Sequence, residues 1–299
     1  MNIIKPKKIS KGDTITIIAP SGNVKEENIL NAKIYFENKG YRVKLGDSVF
    51  NKLRYMAGTD DERAKDLSDA FLDPETDAII CARGGYGAIR ILDKIDYSAI
   101  SNNPKIFCGY SDITALSAII YKKTGLVTFS SPMPKGDFQI DSINSYTEEH
   151  FWNILNGQIL QIVSDDLKSY REGHAQGILF GGNLSTMASL CGLDFIPDEP
   201  FIFFAEDLNE PVYKIDRSFS QLINIDKFKN NIKALVLGDF LDVENYAQLD
   251  ELFYEISANL NIPCYSGYKI SHSPVKCTIP FGVEAKLDEG VISFQNPLI

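Results

Sequence analysis

The chain is poor in the residues that build metal centres and disulfide frameworks. Its five cysteines, at positions 81, 108, 191, 264 and 277, are odd in number and widely spaced. There is no C-x-x-C pair, no Cys/His cluster and no H-E-x-x-H helix, so neither a metal nor a cofactor is expected. Cys81 and Cys108 end apolar runs and read as small buried hydrophobes in a reducing cytoplasm. No apolar stretch approaches the roughly 20 residues that span a bilayer, and the basic start, Met1 to Lys8, leads into no apolar leader segment. Membrane partners are therefore not expected. Cationic residues are outnumbered, 30 Lys and Arg against 40 Asp and Glu, giving a net charge of −10. That excess, with no clustered Lys and Arg, argues against a nucleic-acid surface. Only three histidines are present, His150, His174 and His272, so the choice of a histidine base is narrow.

What remains is an ordinary globular composition, 44% hydrophobic and 23% charged. At 299 residues, two domains are the natural expectation. The first half alternates strand and helix signals. Thr14–Ala19, Tyr41–Leu45, Ala78–Ala82 and Ile106–Cys108 read as strands, with helices at Glu27–Lys39 and Asp60–Leu72. That alternation implies a mostly parallel sheet flanked by helices, an α/β fold. The expected N-terminal α/β domain spans residues 1–150, a polar linker 151–172, and a smaller β-rich domain 173–299. In the latter, Ile178–Phe180, Phe201–Ala205 and Ala234–Gly238 are strand-like, and the tail alternates in a β manner.

Ligands of open α/β sheets sit beyond the carboxyl ends of the strands. Two such ends carry unusual segments. After Ile106–Cys108 comes Gly109-Tyr-Ser-Asp-Ile-Thr114, which puts Ser111 at a sharp strand-to-helix turn. The turn is like a nucleophile elbow, although Ile113 stands where G-x-S-x-G has its last glycine. The residues alone allow two readings of Ser111, a helix cap and a nucleophile. After Ala78–Ala82 comes Arg83-Gly-Gly-Tyr-Gly87, which reads either as a tight turn or as a wall of backbone N–H groups for an anion. A serine nucleophile needs a base and a group to orient it. His272 lies in a loop of small polar residues, a favourable context. His150 is expected on a solvated helix face, and His174 just before a strand. Glu206 is the first polar group after Phe201–Ala205, and begins either an orienting site or a solvated acidic loop.

Taken together, these segments resemble the LD-carboxypeptidase family of serine peptidases, the muramoyltetrapeptide carboxypeptidases. The resemblance covers nearly the whole chain. Its further markers are Gly12-Asp-Thr-Ile-Thr-Ile-Ile-Ala-Pro-Ser21, Ala57-Gly-Thr-Asp-Asp-Glu-Arg63, Gly181-Gly-Asn-Leu-Ser185, Tyr213-Lys-Ile-Asp-Arg217 and Gly267-Tyr-Lys-Ile-Ser-His272. The resemblance implies Ser111 as nucleophile, His272 as general base and Glu206 as the carboxylate that orients it. It implies an oxyanion hole from the backbone N–H groups of Asp112 and Gly84, in a groove between two domains, and a homodimer. Arg83 and Gly85 are candidates for holding the substrate, and Arg217 reads either as a second cation for its terminal carboxylate or as a partner in a structural ion pair. The implied reaction is hydrolysis of the bond to the terminal D-alanine of murein tetrapeptides. Two other readings stay open: an immunity-type peptidase that cleaves peptidyl-nucleotides, and a non-catalytic peptide-binding protein.

Overall fold

The apolar runs read as strands from the sequence fall into two sheets. The computed structural model describes residues 2–139 and 143–299. In chain order the elements are β1 (Thr14–Ile18), α1 (Glu26–Asn38), β2 (Arg42–Leu45), α2 (Asp60–Leu72), β3 (Ala78–Cys81), α3 (Tyr97–Asn102), β4 (Ile106–Cys108), α4 (Thr114–Thr124), β5 (Thr128–Ser130) and α5 (Ser145–Leu155). They continue with β6 (Gln161–Ile162), β7 (Lys168–Arg171), β8 (His174–Asn183), α6 (Leu184–Ser189), β9 (Phe201–Leu208), α7 (Val212–Ile223), α8 (Asp226–Asn231), β10 (Ile232–Leu241), α9 (Tyr246–Leu260), β11 (Cys264–Ser266), β12 (Ile279–Phe281), β13 (Glu284–Asp288) and β14 (Val291–Phe294).

The first sheet has the order β12-β5-β4-β3-β1-β2. Its strands β1 to β5 run parallel, and β12 closes the edge antiparallel to β5. The buried strands β3 and β4 are continuously apolar and β1 alternates buried Thr with Ile; Ile15, Ile17, Ile79, Ile80 and Phe107 are all fully buried, as suits a sheet covered on both faces. The second sheet has the order β6-β14-β13-β8-β9-β10-β11-β7, with β8 to β11 parallel at its centre. A cluster of buried phenylalanines, including Phe180, Phe201, Phe203 and Phe228, packs on this sheet. β12 belongs to the C-terminal half of the sequence yet pairs with β5. The segment just before it, which carries His272, is thereby drawn against the first sheet.

Local chemistry explains several boundaries. The Ala57–Arg63 motif is a capping box. Thr59 Oγ1 accepts from Glu62 N at 3.2 Å, and Glu62 Oε2 accepts from Thr59 N at 2.7 Å. Such a cap is worth about 1 kcal/mol. Helix α5 starts at Ser145, where Asn144 caps it by accepting from Thr147 N at 3.2 Å. It ends at Leu155, ahead of Gly157 at φ +70°.

His150 is buried rather than solvated, with 7% of its surface exposed. Its Nδ1 accepts from Thr278 N at 3.1 Å, a partner 128 residues away that no local pattern could announce. Burial pushes its pKa down to about 4. A neutral imidazole is thus part of the fold. Its stabilisation is full above the unfolded value near 6.5 and is lost as pH falls from there towards 4. The difference reaches about 3 kcal/mol at the acid end. Thermal melting of wild type and His150→Gln between pH 7 and 4 is expected to show the wild type losing more stability over this window. Parallel curves would contradict the burial argument.

Candidate active site

The chain leaves β4 through Gly109 and Tyr110 and enters a single 3₁₀ turn, Ser111–Ile113, that runs directly into α4. Ser111 sits at φ +64°, in the left-handed region. A non-glycine residue there costs on the order of 1 kcal/mol and persists only where its surroundings enforce it. The enforcing contacts come from its neighbour. The buried Asp112 carboxylate accepts from Ser21 Oγ at 2.5 Å and from Ala88 N at 2.9 Å. The elbow is thus tied to the turns after β1 and β3. Asp112 holds the turn with its side chain, which leaves its N–H as a separate group beside Ser111.

The glycine turn after β3 lies against this elbow. A Cβ on Gly84 would fall 2.7 Å from Ser111 Cβ, 2.8 Å from Ser111 Oγ and 3.1 Å from Asp112 N. Only a residue without a side chain lets the two turns approach so closely. Arg63, fully buried, staples the same region. Its Nη1 donates to Pro20 O at 2.6 Å and to Gly87 O at 2.8 Å. Arg83 is half-buried, and its Nε and Nη1 donate to Gly84 O (3.0 Å) and Asn23 O (2.8 Å). Much of its hydrogen-bonding capacity therefore shapes the turn, while its Nη2 lies outside these bonds and faces Gly85.

From the second sheet, Glu206 lies near the end of β9, 3% exposed. Its Oε2 is 2.6 Å from His272 Nδ1, and its Oε1 accepts from Asn183 Nδ2 at 3.2 Å. Asn183 ends β8, and its Oδ1 caps α6 through Thr186 N at 3.0 Å. That double use fixes the amide, which in turn fixes the carboxylate. Asp207 is turned away to Asn183, Ser185 N and Leu208 N, and burial raises its pKa. With Nδ1 donating to Glu206, His272 keeps Nε2 as a free lone pair that can take a proton. The imidazole sits edge-on to Tyr110, the residue before Ser111, with centroids 4.9 Å apart at 67°. Among the described residues Ser111 Oγ makes no hydrogen bond to His272 in this resting state, a link that commonly tightens only when substrate is bound.

The structure thus brings Ser111, Asp112, Gly84, Gly85, Arg83, Glu206 and His272 to one region where the two sheets meet. His174 pairs with Asp288 on the surface at 2.5 Å, and His150 belongs to the packing described above. Arg217 is exposed on α7, its guanidinium 5.4 Å from the Tyr213 ring centroid; the structure records no ion pair for it among the described residues. Sequence reasoning gave no role to Asn183, Arg63 or Ser21. All three lie inside the motifs quoted above, so the signal was position within a motif, without any hint of the partner.

Comparison with known proteins decides the family. Residues 15–131 match the LD-carboxypeptidase N-terminal domain, and residues 176–287 match the LD-carboxypeptidase C-terminal domain. The chain belongs to the LD-carboxypeptidase family. It is a peptidase by that membership. A protein of Bacillus subtilis named as a probable murein peptide carboxypeptidase is 36% identical over 293 residues, covering 95% of this chain and 91% of the relative. Among solved structures, an MccF-like protein from Bacillus anthracis superposes with a TM-score of 0.90 at 30% identity, covering 98% of this chain and 99% of that one. A muramoyltetrapeptide carboxypeptidase from Oxalobacter formigenes superposes with a TM-score of 0.82 at 28% identity, covering 94% and 97%. Within this LD-carboxypeptidase framework, no helix among the described residues is long and apolar enough to cross a membrane.

Proposed function

We propose that the protein is a serine-type LD-carboxypeptidase that removes the terminal D-alanine from murein tetrapeptides, acting in the cytoplasm as part of cell-wall recycling. The observation that carries this reading is the Glu206–His272 pair set beside a strained serine elbow. Ser111 Oγ attacks the carbonyl of the bond to be cleaved, while His272 Nε2 takes its proton. The tetrahedral oxyanion lies between the N–H groups of Asp112 and Gly84. His272 then gives the proton to the leaving D-alanine amine. The ester left on Ser111 is hydrolysed by water in the same two steps. Glu206 holds the correct tautomer and steadies the imidazolium that forms between them. Arg83 Nη2 and the Gly85 turn supply the cationic and backbone groups for the terminal carboxylate. A homodimer is the assembly we expect.

A second reading follows from the match to the MccF-like protein: a self-immunity peptidase acting on a peptidyl-nucleotide. The same triad would serve it. The murein reading ranks first because a relative named for murein peptides is the more similar in sequence. Mass spectrometry of a murein tetrapeptide incubated with the protein tests the proposal. Loss of a single alanine is expected. An intact tetrapeptide beside a cleaved aminoacyl-sulfamoyl nucleoside would favour the second reading.

Gly84→Ala is expected to lower kcat by about a hundredfold or more, because its methyl would displace Ser111 or the Asp112 N–H by a fraction of an ångström to an ångström. The melting temperature should change far less than activity does. Full kcat in a folded Gly84→Ala variant would show that this approach is not part of the reacting geometry.

A further inference from the structure

Behind His272 lies a buried charged cluster that the mechanism above does not use. Lys276 follows His272 by four residues, and its side chain is 4% exposed. Its Nζ is 2.5 Å from Asp137 Oδ1, whose side chain is 5% exposed, and 3.0 Å from Tyr110 Oη. The same ammonium lies 4.4 Å from the Tyr110 ring centroid. Asp137 Oδ2 accepts from Met133 N at 2.9 Å. Lys276 N donates to Thr147 Oγ1 at 2.9 Å, and Thr147 Oγ1 donates to Pro274 O at 2.8 Å. Tyr110, Ser131, Glu206, Ser271 and Lys276 also line a small cavity.

Burying a lysine and an aspartate together costs desolvation, and an apolar pair of similar volume is often at least as stable. The arrangement is therefore poorly explained as a source of stability. What it does achieve is geometric. Asp137 and Thr147 belong to the N-terminal half, while Lys276 belongs to the loop that carries His272. Tyr110 is the point where the two meet. Its backbone leads into Ser111, its ring edge meets the His272 imidazole, and its hydroxyl is fixed by Lys276. One residue thereby contacts the base with its side chain while its backbone adjoins the serine turn.

We propose that Lys276, anchored by Asp137, is a positioning residue that locks the Tyr110 ring against His272 and so aligns the imidazole with Ser111. It acts through Tyr110 and touches no reacting atom. The inference rests on the serine-peptidase reading above. Without Lys276 the Tyr110 ring is free to rotate, and the imidazole loses the wall that sets its tilt about the Glu206 bond. A displacement of about 1 Å at such a centre costs about a hundredfold in rate.

The test uses Lys276→Met, Tyr110→Leu and Tyr110→Phe in the full chain, each checked for folding by circular dichroism and thermal melting. Lys276→Met and Tyr110→Leu are expected to lower kcat on tetrapeptide about a hundredfold, with KM within about twofold. Tyr110→Phe keeps the ring and is expected to lose about tenfold. In proton NMR, the downfield resonance of the His272 Nδ1–H bonded to Glu206 should shift or broaden in Lys276→Met, which a merely structural role would not produce. Labelling of Ser111 by a fluorophosphonate should slow in parallel. Wild-type kcat and labelling rate in a folded Lys276→Met or Tyr110→Leu variant would overturn the proposal. If Lys276→Met does not fold, the Tyr110 variants decide, and wild-type kcat in Tyr110→Phe or Tyr110→Leu overturns it. A wild-type protein that neither labels nor cleaves would instead sink the serine-peptidase reading itself.

Discussion

Ser111→Ala is expected to lower kcat on a murein tetrapeptide by on the order of 10⁶-fold while leaving the fold intact. In the proposed mechanism the substitution removes the atom that forms the covalent intermediate, while the proposed oxyanion donors and binding groups remain. The fold should survive for a specific reason. The turn is held by the Asp112 carboxylate through Ser21 and Ala88, and no hydrogen bond of the Ser111 side chain contributes among the described residues. Alanine still carries the cost of the left-handed conformation at φ +64°, so the melting temperature should shift little in either direction. Activity within tenfold of wild type would remove Ser111 from the mechanism.

The second large effect concerns the pair behind the serine. His272→Ala is expected to cost nearly as much as Ser111→Ala, and Glu206→Ala on the order of 10⁴-fold, since the carboxylate only orients the base and steadies its charge. The double variant should be no worse than His272→Ala alone. In the proposed mechanism Glu206 acts only through His272 Nδ1, 2.6 Å away, so it has nothing left to do once the imidazole is gone. Losses that add in log rate would mean that Glu206 acts on the substrate by another route. Glu206→Gln is the informative conservative change. It keeps the volume beside Asn183 but presents an amide that can donate to His272 Nδ1 and favour the wrong tautomer.

The parts of this site that could be read in the sequence are the ones made locally. The Ile106–Cys108 run and the change to a helical pattern after Ile113 reveal the elbow. The apolar run before Glu206 reveals its strand end. The capping box at Thr59 and Glu62 is also a local pattern, spaced by three residues. What could not be read are contacts between residues far apart in the chain. Asn183 meets Glu206 across 23 residues, and Lys276 meets Asp137 across 139. A lone lysine in a polar loop has no periodicity to show that it is buried. The solvated face expected for His150 failed for the same reason. Its burial comes from the segment before β12, whose crossing to the first sheet no local signal announces. The two-stranded pairing of β6 and β14 is equally silent, since β6 is two residues long.

The most direct test of the account is to compare kcat/KM for two murein tetrapeptides that differ only in the terminal residue, D-alanine in one and L-alanine in the other. In a site built for the LD bond, the carboxylate must reach the Arg83 and Gly85 turn while the carbonyl sits between the Asp112 and Gly84 N–H groups. Inverting the terminal centre moves one of those two groups by on the order of 1 Å, which costs about a hundredfold in rate. The account predicts a preference of at least that size for the D-terminal peptide, abolished together with all turnover by Ser111→Ala. Equal kcat/KM for the two peptides would contradict it.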